Sequence, residues 1–231
     1  MSGQALWYLT RGTGLVALVL LTGTVALGVL TWNGWSSRRW PRFVTLGLHR
    51  NLSLLAVAFL GVHIASTVVD GFAPIGWLDA VVPFHSPYRP IWLGLGAVAV
   101  DLLIAVMVTS LLRRHLSLAV WRTVHVTAWA AWPIALVHGL GTGSDTTHGW
   151  VQLVYVASVA VVLGCAWWRI AASWADRRPL RLAALVTSIV VPIAVLAWTA
   201  TGPLHSGWAR RSGTPSELLH QSSSATGEED P

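Results

Sequence analysis

Four of the nine histidines fall inside apolar stretches, and they fall in pairs: His49 and His63 are 14 residues apart, His125 and His138 are 13 apart. An ionisable side chain within a membrane span is costly and marks a functional position by default. A neutral imidazole presents one ring nitrogen as a metal ligand, and heme iron commonly takes histidine as an axial ligand. At about 1.5 Å per residue, 14 residues rise about 21 Å and 13 rise about 20 Å. On helices that run in the same direction, His49 comes level with His125, and His63 with His138. Two helices thus offer two matched ligand pairs, enough for two b hemes stacked across a bilayer. The hemes would be noncovalent, because c-type attachment needs a CxxCH sequence and the single cysteine is Cys165. A structural zinc site fits poorly, since zinc prefers four clustered ligands. One isolated histidine could simply be hydrogen-bonded within a bundle. Two matched pairs are hard to explain that way.

Other residues take their meaning from these four. In a straight helix, 14 residues return to about 40° from the starting direction, whereas 13 land about 140° away. Pro133 lies between His125 and His138. Proline removes a helix hydrogen bond and commonly kinks the helix, so a kink at Pro133 is expected to re-phase His138. Gly47, Gly61 and Gly139 lie within two residues of ligand candidates. They would admit a flat macrocycle, although close helix packing uses glycine equally. Arg50 follows His49, and Arg122 stands three residues before His125. Both could pair with heme propionates or simply mark loop ends. Asp101, near the middle of an apolar stretch, should be protonated or paired. A structural hydrogen bond explains it more simply than a proton relay. His85, His115, His148, His205 and His220 fall in loops or the tail and need no special role.

The elements that position these residues are transmembrane helices. Of the 231 residues, 54% are hydrophobic and 10% charged, against roughly 25% charged in a soluble domain. Apolar runs of about 20 residues, the length that crosses a bilayer, recur at about 13–35, 43–69, 91–112, 116–140, 149–169 and 182–201. The expected fold is an all-α, polytopic helical bundle of six spans over residues 1–201. Residues 202–231, which carry Ser222–Ser224 and the acids Glu228, Glu229 and Asp230, read as a disordered extracytoplasmic tail. The first run lacks an A-x-A-like exit and reads as a span, not a cleaved signal. All 15 basic residues are arginines. Arg38, Arg39, Arg42, Arg113, Arg114, Arg122, Arg169, Arg177, Arg178 and Arg181 cluster in the first, third and fifth connections. Asp70, Asp79 and Asp145 occupy the other two against a single Arg89. Arginine near span ends marks the cytoplasmic side, which places both termini outside. Arg11, Arg210 and Arg211 run against this pattern. The net charge of +6 does not indicate nucleic-acid binding, because no soluble domain exists to present a basic face. The tryptophans, among them Trp121, Trp129, Trp132, Trp167 and Trp168, read mostly as interface anchors.

His49-x13-His63 and His125-x12-His138 on parallel helices resemble the ferric reductase-like transmembrane domain family. That family includes the membrane cores of NADPH oxidases and ferric reductases, and the heme subunit of the periplasmic methionine sulfoxide reductase system. Arg11-x2-Gly14, Ser110-Leu-Leu-Arg-Arg114 and Trp121-x3-His125 support the resemblance, which covers about residues 7–170. It implies bis-histidine b hemes that carry electrons from a cytoplasmic donor to an extracytoplasmic acceptor. His49 and His125 would ligate the inner heme, His63 and His138 the outer one. Full-length oxidases continue into a flavin and nicotinamide domain. Here the chain re-enters the membrane at about Leu182, so a separate flavoprotein or a quinol must donate. Quinol-linked cytochrome b subunits hang two hemes at similar spacing and form the second reading. A non-redox transporter or scaffold is the third.

Overall fold

Hydropathy alone accounts for most of the architecture. The computed structural model describes residues 3–38, 40–172 and 178–220, and among them every regular element is a helix. The helices are α1 (Gly3–Trp32), α2 (Arg42–Asp70), α3 (Pro90–Leu111), α4 (Leu118–Val126), α5 (Ala128–Thr142), α6 (Gly149–Ala171), α7 (Arg178–Thr201) and the short α8 (Trp208–Arg211). Their ends follow local chemistry. Helix α2 starts after Pro41 and stops at Gly71 in the left-handed region, φ 68°, where glycine has no steric penalty. Helix α3 starts on Pro90, whose missing N–H costs nothing in the first turn. The Ser117 hydroxyl caps α4 by accepting from the Val120 N–H.

Five helices, α1, α2, α3, α6 and α7, are long and apolar enough to cross a membrane. The chain is a multi-pass membrane protein. Its apolar side chains face outward, with Leu153 68% and Leu196 63% exposed. Lipid, not protein, covers such surfaces. The expected fourth span is not one helix. It is split at Thr127 into α4, of 9 residues, and α5, of 15. At the split the Thr127 N–H bonds to the Val124 carbonyl, three residues back, the tighter spacing of a 3₁₀ turn. This break lies six residues before Pro133. Helix α5 runs through Pro133 without a break.

Helix α1 packs chiefly on α2, and α3 on α5. Between them lies a core of Leu18, Trp132, Leu136, Leu140 and Val162. Trp132 is buried there and donates its indole N–H to the Thr22 hydroxyl at 2.9 Å. It is a core residue, not the interface anchor its composition suggests.

One end of the bundle gathers Asp70, Asp79, Asp145 and the start of α1. There Arg11 bonds Asp145 and Ser144 and lies over the Trp7 ring at 3.6 Å. The opposite end gathers the arginine-rich connections, where Arg122 and Arg169 approach the Trp32 ring at 5.5 Å and 4.6 Å. Residues 202–220, read from composition as the start of a disordered tail, instead turn back over the Asp145 end. Trp208 donates to the Gly141 carbonyl at 3.0 Å, and Arg89 holds Thr214 at 3.0 Å. Residues 221–231 lie outside the described residues, as do Arg39 and Arg177.

Candidate metal centres

His49 and His63 project from α2, His125 from α4 and His138 from α5. The pairs meet as the spacing predicts. The ring centres of His49 and His125 are 6.2 Å apart at an interplanar angle of 64°, and those of His63 and His138 are 6.4 Å apart at 80°. Two imidazoles that share one metal ion from opposite sides, each bonded at about 2.0 Å, have ring centres about 6.3 Å apart. Both separations therefore match a bis-imidazole metal site. Neither pair is in hydrogen-bond contact with itself. Among the described residues no group of three or more His, Cys, Asp or Glu could hold a metal ion.

Three of the four rings are held by one device. His63 Nδ1 bonds the Thr10 carbonyl at 2.8 Å, His49 Nδ1 the Thr24 carbonyl at 3.0 Å, and His138 Nδ1 the Trp92 carbonyl at 2.8 Å. A carbonyl only accepts, so Nδ1 carries the proton and Nε2 keeps its lone pair free. Histidine ligands of metals are commonly fixed by such an outer bond, which sets the tautomer and ring orientation. Each carbonyl is followed four residues later by glycine: Gly14, Gly28 and Gly96. Side chains on a helix lean towards its N-terminus and stand over the residue four positions back. Glycine leaves that carbonyl's second lone pair open to the approaching ring. A Cβ at Gly96 would lie 2.6 Å from His138, at Gly14 3.0 Å from His63, and at Gly28 3.4 Å from His49.

The glycines singled out from sequence do something else. Gly47 and Gly61 face open space, and Gly139 stands against the Tyr155 hydroxyl. Thr10 and Gly14 recur as Thr24 and Gly28, 14 residues on, in step with His49 and His63 on the antiparallel neighbour. That repeat is readable in the sequence alone.

His125 is the exception. Its Nδ1 is buried without a partner, as is the indole nitrogen of Trp121. Trp121 stacks on the His125 ring at 4.7 Å and 25°, and Arg113 lies over Trp121 at 4.7 Å. Stacking replaces the carbonyl.

His63 and His138 open on a cavity of about 450 Å³, within the usual range for cofactor sites. Gly14, Leu18, Leu60, Gly96 and Leu103 line it, and Arg11 and Tyr88 stand among its lining residues at the Asp145 end. Cavity size, apolar walls and donor set suit a heme. Of the predicted propionate partners, Arg122 is exposed and lies over Trp32, and Arg50 is exposed beside His49. Asp101 is half-buried on α3 and is not among the cavity residues. No known protein family, curated protein or solved structure matches the chain.

Proposed function

We propose that this protein is a two-heme membrane electron conduit, with His49 and His125 ligating one b heme and His63 and His138 the other. The single observation that carries the reading is the pair of ring separations, 6.2 Å and 6.4 Å. The Nδ1 bonds of three of these rings support it. Bound heme supplies reversible one-electron chemistry. The protein's own contribution is positional. Carbonyls of α1 and α3 set three tautomers, Trp121 sets the fourth ring, and glycines clear the approaches. The leucines of the cavity keep water from the outer site. At the arginine-rich end, Arg50 and Arg122 are the candidates to meet propionate carboxylates, whereas Arg11 at the other end is paired with Asp145.

In this reading α4 and α5 together form a broken fourth pass, giving six. The arginine-rich end is cytoplasmic by the charge rule, and both termini are extracytoplasmic. Electrons enter from a separate flavoprotein or a quinol and leave to an extracytoplasmic acceptor. The resemblance to ferric reductase-like domains agrees with this assignment but stands on His49, His63, His125, His138 and their neighbours alone.

A pyridine hemochrome assay on protein purified from heme-replete cells tests the reading. Two b hemes per chain are expected. Protein that is monodisperse and free of heme would overturn it in favour of a transporter or scaffold.

A further inference from the structure

Arg89 is 6% exposed and occupies the left-handed region at φ 43° and ψ 59°. A non-glycine residue there is uncommon and persists only where its surroundings hold it. The surroundings are specific. Its N–H donates to the Gly213 carbonyl at 3.0 Å, and its own carbonyl accepts from Leu93 at 2.9 Å. Its Nε donates to the Thr214 hydroxyl at 3.0 Å. One guanidinium nitrogen donates to both Gly141 and Thr142 carbonyls, at 3.2 Å and 2.9 Å. Burial lowers the guanidinium pKa below its ordinary value, partly offset by Tyr88, yet arginine remains charged. A cation on the last carbonyls of a helix caps it and complements its dipole.

The helix so capped is α5, and His138 lies one turn before its end. The Thr142 hydroxyl bonds the His138 carbonyl at 2.7 Å. The partner carbonyl of the His138 ring belongs to Trp92, three residues after Arg89. The C-terminal segment completes the structure. The Trp208 ring lies 5.3 Å from that of Trp92 and 5.8 Å from that of Trp198, and Trp92 and Trp198 stack at 4.8 Å. A Cβ at Gly141 would strike the Trp92 ring at 2.6 Å, so α3 and α5 meet here without slack.

We propose that Arg89 is a positioning residue for the outer ligand pair, locking the α5 terminus, the first turn of α3 and the segment around Trp208 so that His138 and the Trp92 carbonyl stay in register. The proposal rests on the two-heme reading above.

The test uses full-length protein with one heme site removed. His49→Leu leaves the outer site to be read, and His63→Leu leaves the inner. In each background, Arg89→Gln, Arg89→Lys and Trp208→Phe are compared for heme loss to excess apomyoglobin and for the low-spin ferric electron paramagnetic resonance signal. Removal of an outer-shell partner typically weakens a metal site by about 10–100-fold. The lower end, roughly tenfold weaker outer heme retention and a shifted or broadened outer signal, is expected for Arg89→Gln. Arg89→Lys should recover part of it, and Trp208→Phe, which loses the bond to Gly141 and trims the ring packed on Trp92 and Trp198 but leaves Arg89 in place, should shift the signal less. The inner site should keep its retention and signal. Unchanged outer retention and signal in Arg89→Gln would overturn the proposal, whatever Trp208→Phe does. So would equal loss from both sites, which would make Arg89 a general stabilising residue. A wild-type chain without heme would instead sink the underlying reading, and this proposal with it.

Discussion

A graded series of glycine substitutions separates the geometry described here from a generic helical bundle. At Gly96 a new methyl group would lie 2.6 Å from two atoms of the His138 ring. Ordinary carbon contacts are about 3.5–4.0 Å, so the ring must retreat by about 1 Å. The bond from His138 Nδ1 to the Trp92 carbonyl is 2.8 Å and would not survive that shift. Overpacking costs about 1–3 kcal/mol, and an orphaned buried donor about 1–3 kcal/mol more. A loss of about 2 kcal/mol, the minimum of this range, weakens outer heme affinity by roughly 30-fold. Gly14→Ala, with 3.0 Å to His63, asks the ring to give by a few tenths of an ångström. It should cost about 1 kcal/mol, or roughly fivefold. Gly28→Ala, at 3.4 Å from His49, falls at ordinary contact and should stay within about twofold. Gly47→Ala and Gly61→Ala meet nothing within 4 Å and should be neutral, or stabilise by up to about 1 kcal/mol through helix propensity. The assay is heme transfer to apomyoglobin, with sites assigned from the His49→Leu and His63→Leu variants. The order Gly96, Gly14, Gly28 and then the two open positions is the result expected. Heme loss from Gly47→Ala or Gly61→Ala with Gly96→Ala unaffected would refute the carbonyl-and-glycine account of the site.

The double replacement His49→Leu and His125→Leu should cost no more heme than either alone, because both act on one site, whereas His49→Leu with His138→Leu should cost both hemes; heme per chain in monodisperse protein decides it. Trp121→Leu removes the stack that stands in for a carbonyl on His125, and should broaden the inner low-spin signal while sparing the outer one. Pro133→Ala should leave both pairs intact, since the break lies at Thr127; selective loss of the outer heme would return the re-phasing role to the proline. A C-terminal reporter should be active in an extracytoplasmic compartment, and cytoplasmic activity would exchange the inner and outer labels.

The histidine pairing was legible because two simple periods fixed it, the rise per residue and the alternation of charge between connections. Three of the arginines away from the arginine-rich end have local partners. Arg11 is neutralised by Asp145, Arg89 is consumed inside the protein, and Arg211 bonds the Thr201 carbonyl. A rule about charge near span ends cannot see which arginines have internal partners. The split at Thr127 was not legible, since proline is the strongest breaker signal and lies nearby, while threonine carries little. Nor could composition separate Trp132, buried against Thr22, from the exposed Trp150 at the start of α6. Both are tryptophans in apolar sequence, and only packing decides which one lipid covers.

The four histidines are not equivalent, and the reason lies on the helices that face them. In α1 the carbonyl-and-glycine device appears twice at a 14-residue interval, at Thr10 with Gly14 and at Thr24 with Gly28. That interval keeps nearly the same helix face, about 40° off, and it matches His63 and His49 in antiparallel register. Helix α3 has the device once, at Trp92 with Gly96. One interval further, in phase with these, stand Val106 and Ser110. Ser110 carries a Cβ where the other three positions have none. The second carbonyl port is closed on α3, and His125 Nδ1 is left unpartnered. The broken span is the counterpart of that closure. A continuous helix would carry His125 about 140° away from the face of His138. The turn at Thr127 lies between the two histidines, and Trp121, one turn before His125 on the same short helix, supplies the surface on which that ring stacks. Three of the rings are thus oriented by the backbone of a neighbouring helix, and the fourth by a side chain of its own.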